Sequence, residues 1–88
     1  MAQYSLKFSR QSYKDYENLA GANLDDKIDD ILTILKSNPF KWAPNFEKLR
    51  GKLKGVYSRR INNKHRIWYF VNKSKKTVYI IRMWSHYE

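Results

Sequence analysis

The chain contains no cysteine and no long apolar run. Without cysteine it can form neither a disulfide framework nor a thiolate metal site. Its apolar runs fall well short of the roughly 20 residues that a membrane span requires, so we expect no membrane association. The N-terminus also lacks the basic-then-apolar layout of a secretory signal. Together these absences predict a cytoplasmic protein.

Acidic residues are scarce in the second half of the chain. Through Phe46, six basic side chains balance six acidic ones. From Glu47 onward there are twelve basic residues and two acidic ones, so this half carries the whole formal net charge of +10. Tyrosine and tryptophan side chains are mixed with this charge, a combination typical of surfaces that bind phosphates and bases. A solvated basic face is the alternative interpretation.

The length of 88 residues predicts a single domain, residues 1–88, with one modest core. Residues 4–8 alternate in polarity and predict a short strand. Ser9 is expected to cap a helix that ends at Gly21 and carries Tyr13, Tyr16 and Leu19/Ala20 on one side. Asn23 is expected to cap a second helix. The apolar stripe of that helix is Leu24, Ile28, Ile31, Leu32 and Leu35.

In the second half of the chain, the spacing of apolar residues changes from one typical of helices to one typical of extended strands. Residues 39–55 are predicted to form a loop. Residues 56–61, 66–71 and 77–84 are rich in β-branched and aromatic side chains and predict three strands. Short turns between them make them antiparallel neighbours. The expected fold class is α+β, with a mostly antiparallel sheet that carries two helices on one face and leaves the other face for a ligand.

The first predicted hairpin brings an arginine from each strand to one face. A three-residue turn places Arg60 opposite Arg66, whereas a two-residue turn places Arg59 there. Like charges directly opposite each other destabilise a sheet unless an anion lies between them, and guanidinium groups match phosphate oxygens. Two arginines splayed into solvent are the alternative.

Glu47 and His86 are the candidate base and acid of the basic half. RNA carries its own nucleophile, the 2′-hydroxyl, so its cleavage needs a base, cations at the phosphate and an acid for the leaving oxygen. Lys48 and Arg50 add to the candidate cations. A surface salt bridge for Glu47 and a frayed terminus for His86 are the alternatives. No metal or other cofactor is called for, because the two histidines form no ligand motif.

Several motifs taken together resemble the YoeB/Txe toxins of bacterial toxin–antitoxin modules, in the RelE-like superfamily. The motifs are Asn38-Pro39-Phe40, Glu47-Lys48-Leu49, Gly55-Val56-Tyr57-Ser58-Arg59-Arg60-Ile61, His65-Arg66-Ile67 and His86-Tyr87. The resemblance implies a RelE-like β-α-α-β-β-β fold and a ribosome-dependent endoribonuclease that cuts mRNA in the A site. It also implies a YefM-type antitoxin that blocks the active site. The oligomeric state stays open, with a homodimer among the expectations.

The resemblance also implies residue roles. Glu47 matches the general base and His86 the general acid. Arg66 matches the phosphate-stabilising arginine, and Tyr87 the terminal aromatic residue. The expected substrate-binding residues are Lys48, Arg50, Arg59 and Arg60. A non-catalytic nucleic-acid-binding module on the same basic sheet is the main competing interpretation, but it gives the acid–base pair no role. The second competing interpretation is a member of the same superfamily that inhibits a protein target such as gyrase.

Overall fold

The computed structural model describes residues 3–21, 23–41, 46–49, 51, 55–62 and 64–85. Within these residues the chain forms two helices and a five-stranded sheet. The helices are α1 (Arg10–Ala20) and α2 (Asp25–Ser37), and the strands are β1 (Ser5–Phe8), β2 (Phe46–Lys48), β3 (Tyr57–Arg60), β4 (His65–Asn72) and β5 (Thr77–Ser85). The predicted α+β class is confirmed.

The strands lie in the order β1-β5-β4-β3-β2. The four strands from β2 to β5 are antiparallel neighbours, and β1 joins β5 in parallel. The prediction of a loop over residues 39–55 is wrong at β2, which pairs with β3 and adds one strand to the predicted order. A strand of three residues is too short to show a periodicity of its own, so only its partner strand reveals it.

The core lies between the helices and one face of the sheet. From α2 the predicted stripe contributes Ile28, Ile31 and Leu35, all buried. They form one cluster with Leu19 of α1, with Ile61 just after β3, and with the sheet residues Ile67, Tyr69, Val78, Ile80 and Met83. Because successive strand residues point to opposite faces, the residues between these sheet positions lie on the other face, which we call the outer face.

The two helices begin differently. Ser9 caps α1 as predicted, because its Oγ accepts the N–H of Ser12 at 3.0 Å. The same hydroxyl donates to the carbonyl of Ile81 at 2.8 Å and so ties the helix to β5. The predicted cap of α2 is wrong, since Asn23 adopts a left-handed φ of 63° and Leu24 precedes the helix without a side-chain cap.

The predicted apolar side of α1 is confirmed at Leu19, which is buried, and at Tyr16, which packs against the core, but not at Tyr13. Tyr13 is 60% exposed, whereas Ser12 and Asp15 are buried. Strand β1 pairs with β5 only as far as Ile80. Just beyond that point the Asp15 carboxylate accepts the N–H of Met83 at 3.1 Å and the guanidinium of Arg82 at 2.9 Å. Asp15 of α1 therefore accepts hydrogen bonds from β5 at the point where β1 no longer pairs with it.

Asp15 should make stability depend on pH. Burial by itself raises the pKa of this carboxyl, but hydrogen bonds from Arg82, Gln11 and the Met83 N–H outweigh burial, so the pKa lies below its ordinary value. A carboxyl with a lowered folded pKa stabilises the fold above its unfolded pKa of about 3.9 and loses that contribution as the pH falls through the folded pKa. Asp15→Asn should therefore lower the free energy of unfolding by about 2 kcal/mol at pH 7, and by less at acid pH.

Urea denaturation of both proteins at pH 7, 5 and 3 measures this difference. Glu17→Gln, an exposed carboxylate on the same helix, is the matched control and should change stability by less than about 0.5 kcal/mol. A deficit for Asp15→Asn that stays constant from pH 7 to pH 3 would show that shape, and not charge, is what matters at this position.

Candidate active site

A row of side chains crosses the outer face from β2 to β4. The strand register pairs Glu47 with Ser58, and Ser58 in turn with Trp68. Residues directly opposite each other in antiparallel strands share a face, so these three side chains are neighbours. Together with Leu49 and Arg66 they line a cavity of about 180 Å³. The cavity therefore brings together the carboxylate of Glu47, the hydroxyl of Ser58 and the guanidinium of Arg66.

The hairpin between β3 and β4 places Arg60 directly opposite Arg66. The Ile61 N–H donates to the carbonyl of His65 at 2.8 Å, which closes the longer of the two predicted turns. Asn62 organises this turn, because its Oδ1 accepts the N–H of His65 at 2.8 Å. The three-residue alternative is confirmed, and two arginines share the outer face.

Glu47 and Arg66 form an ion pair, with Nη1 and Oε1 separated by 3.3 Å. The Glu47 side chain is 59% exposed, whereas that of Arg66 is 19% exposed. Water screens an exposed pair, so its contribution to folding is about 0–1 kcal/mol. The pair can therefore open for an incoming anion with little loss of stability.

The prediction that Arg59 binds substrate is wrong. Its side chain is fully buried on the helix side of the sheet, because it lies in register with Ile67. The guanidinium donates to the Tyr69 hydroxyl at 3.1 Å, to the carbonyl of Pro39 at 3.3 Å and to the carbonyl of Lys41. Neighbouring residues on a strand face opposite ways, so of the two adjacent arginines only Arg60 reaches the outer face.

Tyr69 completes this buried network. Its hydroxyl donates to the carbonyl of Pro39 at 2.7 Å. Burial raises the pKa of Tyr69 to about 12, although the neighbouring Arg59 opposes the shift. The phenol therefore stays protonated and keeps its donor. The network thus holds Pro39 and Lys41, in the segment that follows α2, against the helix-facing side of the sheet.

The remaining predicted residues divide into two groups. Lys48 is exposed and lies in register with Tyr57. Because adjacent residues of a strand face opposite sides of the sheet, Lys48 does not line the cavity that Glu47 lines. Arg50, His86 and Tyr87 lie outside the described residues. Of the predicted site residues, the structure therefore brings Glu47, Arg60 and Arg66 together on the outer face.

Sequence reasoning missed several residues of the outer face. Ser58 and Trp68 line the cavity. Farther along β4, Phe70 is 42% exposed and stacks on Tyr79 of β5, with centroids 4.8 Å apart and planes inclined by 16°. Lys7 of β1 lies in register with Tyr79. Strand alternation counted from Arg66 would have found the β4 members of this group.

The described part of the chain holds neither a cluster of metal ligands nor a helix that could span a membrane. No group of three or more histidine, cysteine, aspartate or glutamate residues there is arranged to hold a metal ion. None of the helices there combines the length and the apolar character that crossing a membrane requires.

Comparison with known proteins identifies close relatives. The sequence model of the YoeB-like toxins of bacterial type II toxin–antitoxin systems matches residues 8–87. The toxin YoeB of Streptomyces coelicolor is 30% identical over 66 residues, which cover 73% of this chain and 79% of that protein.

Solved structures agree with this comparison. A YoeB/ParE toxin from Agrobacterium tumefaciens superposes with a TM-score of 0.82 at 33% identity, covering 94% of this chain and 99% of its own. A chain of the YoeB-YefM complex from Staphylococcus aureus superposes with a TM-score of 0.77 at 32% identity, covering 98% and 100%.

The buried network around Arg59 predicts unequal roles for two adjacent arginines. Arg59→Met should lower the free energy of unfolding by about 3 kcal/mol, because it removes a buried donor from the Tyr69 hydroxyl and two carbonyls. Arg60→Met, one position away and exposed, is the matched control and should change it by less than about 0.5 kcal/mol. Urea denaturation measures both, and equal losses would contradict the assignment.

Proposed function

This chain belongs to the YoeB-like toxins of bacterial type II toxin–antitoxin systems, and we propose that it is a ribosome-dependent endoribonuclease that cuts mRNA in the ribosomal A site. The observation that carries the proposal is the Glu47–Arg66 pair, 3.3 Å apart on the open outer face. It puts a base and a phosphate-binding cation within reach of one phosphodiester. Its place of action is then the cytoplasm.

The proposed reaction uses the 2′-hydroxyl of the RNA as nucleophile. Glu47 takes the proton of that hydroxyl, and the oxygen attacks the adjacent phosphorus. Arg66, with Arg60 opposite, stabilises the charge that builds on the phosphate oxygens. His86 protonates the 5′-oxygen as its bond to phosphorus breaks. The products are a 2′,3′-cyclic phosphate and a free 5′-hydroxyl.

The two proposed residues near the C-terminus are supported by chain position and chemistry. His86 follows Ser85, which pairs with His65, the residue before Arg66 at the start of β4. An imidazole titrates near neutral pH and so suits a general acid. Tyr87 is proposed to stack on a base next to the cut, and Arg50 to add positive charge.

The ion pair gives the free protein a resting state for this chemistry. Arg66 neutralises Glu47 at 3.3 Å until a substrate phosphate competes for the guanidinium. A phosphate matches the guanidinium fork as well as a carboxylate does. Binding of RNA therefore frees the base at the moment when the cation engages the phosphate.

The outer face also suits a single RNA strand beyond the reacting phosphate. The exposed ring of Phe70, stacked on Tyr79, offers a flat apolar surface on which a base can stack. Lys73, Lys75 and Lys76 are exposed in the turn between the same strands. A non-catalytic RNA-binding module would use this surface equally well, but it would not need Glu47.

An antitoxin is the second proposed partner. A YoeB-YefM complex and a YoeB dimer, both from Staphylococcus aureus, have been solved. These relatives support a YefM-type antitoxin for this chain, and a homodimer when the antitoxin is absent. An acidic segment complements the arginine pair Arg60 and Arg66, so the antitoxin is proposed to cover the outer face.

Cleavage tests the proposed acid–base roles. Glu47→Gln, Arg66→Ala and His86→Gln should each lower the single-turnover rate on saturating, mRNA-programmed ribosomes by about 100-fold or more. The rate at saturation isolates the chemical step from binding. The free energy of unfolding should stay within about 1 kcal/mol of the wild-type value for the first two variants, because water reaches the Glu47 carboxylate and keeps the ion pair weak.

Lys75→Ala is the control for charge alone. It should weaken ribosome binding and reduce its salt dependence while leaving the saturated rate unchanged. If Arg66→Ala behaved in the same way, Arg66 would be a binding residue only. Near-wild-type rates for both Glu47→Gln and His86→Gln would overturn their assignment as base and acid, whereas a wild-type protein that binds ribosomes without cutting mRNA would favour the non-catalytic module.

Hydrogen exchange tests how the antitoxin inhibits. If the antitoxin covers the outer face, amides at residues 59–66 and 83–88 should exchange about tenfold more slowly in the complex, since docking suppresses local opening. Amides of α2 belong to the core and serve as the internal reference. Unchanged exchange in both segments would point to inhibition from a remote site.

A further inference from the structure

Ser58 is a buried polar side chain to which the proposed chemistry assigns no role. The residue is 1% exposed, and its Oγ has no hydrogen-bond partner among the described residues. A buried hydroxyl without a partner costs about 1–3 kcal/mol. Alanine would fill the same place without that cost. The hydroxyl therefore calls for a partner that arrives in another state of the site.

Glu47 is the side chain best placed to become that partner. The two residues are directly opposite each other on β2 and β3, and both line the cavity. Opposite residues in antiparallel strands have Cβ atoms about 4.5–5.5 Å apart, a distance that a glutamate side chain spans by rotation. The Glu47 side chain is 59% exposed, so packing does not prevent this rotation.

Substrate is a poorer partner for Ser58. The hydroxyl oxygen is buried, so an RNA strand on the outer face does not reach it. A neighbouring side chain can. In the free protein the Glu47 carboxylate faces Arg66 at 3.3 Å, and a phosphate that binds Arg66 takes this partner away.

We propose that Ser58 is a positioning residue for Glu47. When a phosphate engages Arg66, the Ser58 hydroxyl donates a hydrogen bond to one carboxylate oxygen of Glu47. The other oxygen is then held toward the reacting 2′-hydroxyl and accepts its proton. Ser58 itself transfers no proton. The inference rests on the proposed function, because it assumes that Glu47 is the base.

Ser58→Ala separates this role from a structural one. A hydrogen bond to a charged group is worth about 1.5–3 kcal/mol, so the single-turnover rate at saturating ribosomes should fall by about 10- to 100-fold. Ribosome affinity should not change, because Ser58 does not touch RNA. The thermal midpoint should stay the same or rise, since alanine removes a hydroxyl that lacks a partner in the free protein. Ser58→Thr keeps the hydroxyl and should restore most of the rate.

A double-mutant cycle supplies the second measurement. If Ser58 acts through Glu47, Ser58→Ala should cause no further loss of rate in a Glu47→Gln protein. Additive losses would overturn the proposal. So would a lower thermal midpoint together with lower ribosome affinity for Ser58→Ala, which would mark Ser58 as part of the fold.

The outcomes distinguish the role of Ser58 from the proposed endoribonuclease function. An active wild-type protein whose Ser58→Ala variant cleaves at the same rate would overturn the role of Ser58 alone. A wild-type protein that does not cut mRNA on programmed ribosomes would overturn the endoribonuclease function, and the positioning role with it.

Discussion

The buried guanidinium of Arg59 is the constraint on which the candidate site depends. It holds the carbonyls of Pro39 and Lys41, at the start of the segment that leads to β2. Strand β2 has only three residues, so its own ladder with β3 fixes it weakly. Glu47 lies at the middle of this strand. The position of the proposed base is therefore set in part by a cation that lies in the core and never meets the substrate.

Strand alternation assigns different tasks to adjacent residues of the same motif. Arg59 points into the core and Arg60 to the outer face; on β2, Glu47 lines the cavity whereas Lys48 does not. A slip of one residue in the β2–β3 register would turn Glu47 away from the cavity and Lys48 toward it, and a slip in the β3–β4 register would exchange Arg59 and Arg60 in the same way. The two pairings of β3 thus select which charged residues face the cavity.

Much of the fold was predictable because its signals are local. The stripe of α2 and the three long strands each repeat over enough residues to define a period, and the hairpin limited the facing arginines to two pairs. The buried role of Arg59 was not predictable, because its partners lie 10 to 20 residues away and a charged residue contradicts the pattern of a core position. The burial of Asp15 likewise depends on where β1 ends beside β5, which no local pattern encodes.

The candidate site carries two destabilising features in the free protein. Arg60 and Arg66 face each other with like charge, and the Ser58 hydroxyl has no described partner. The core and the buried network offset these costs, as is common where function and stability compete. Any anion that engages the arginines relieves the repulsion and stabilises the folded state by mass action. Under the proposed function, an RNA phosphate and an acidic antitoxin segment would both meet this need at the same place. Mutual exclusion of substrate and inhibitor would then follow from the charge of the site itself and would need no conformational switch.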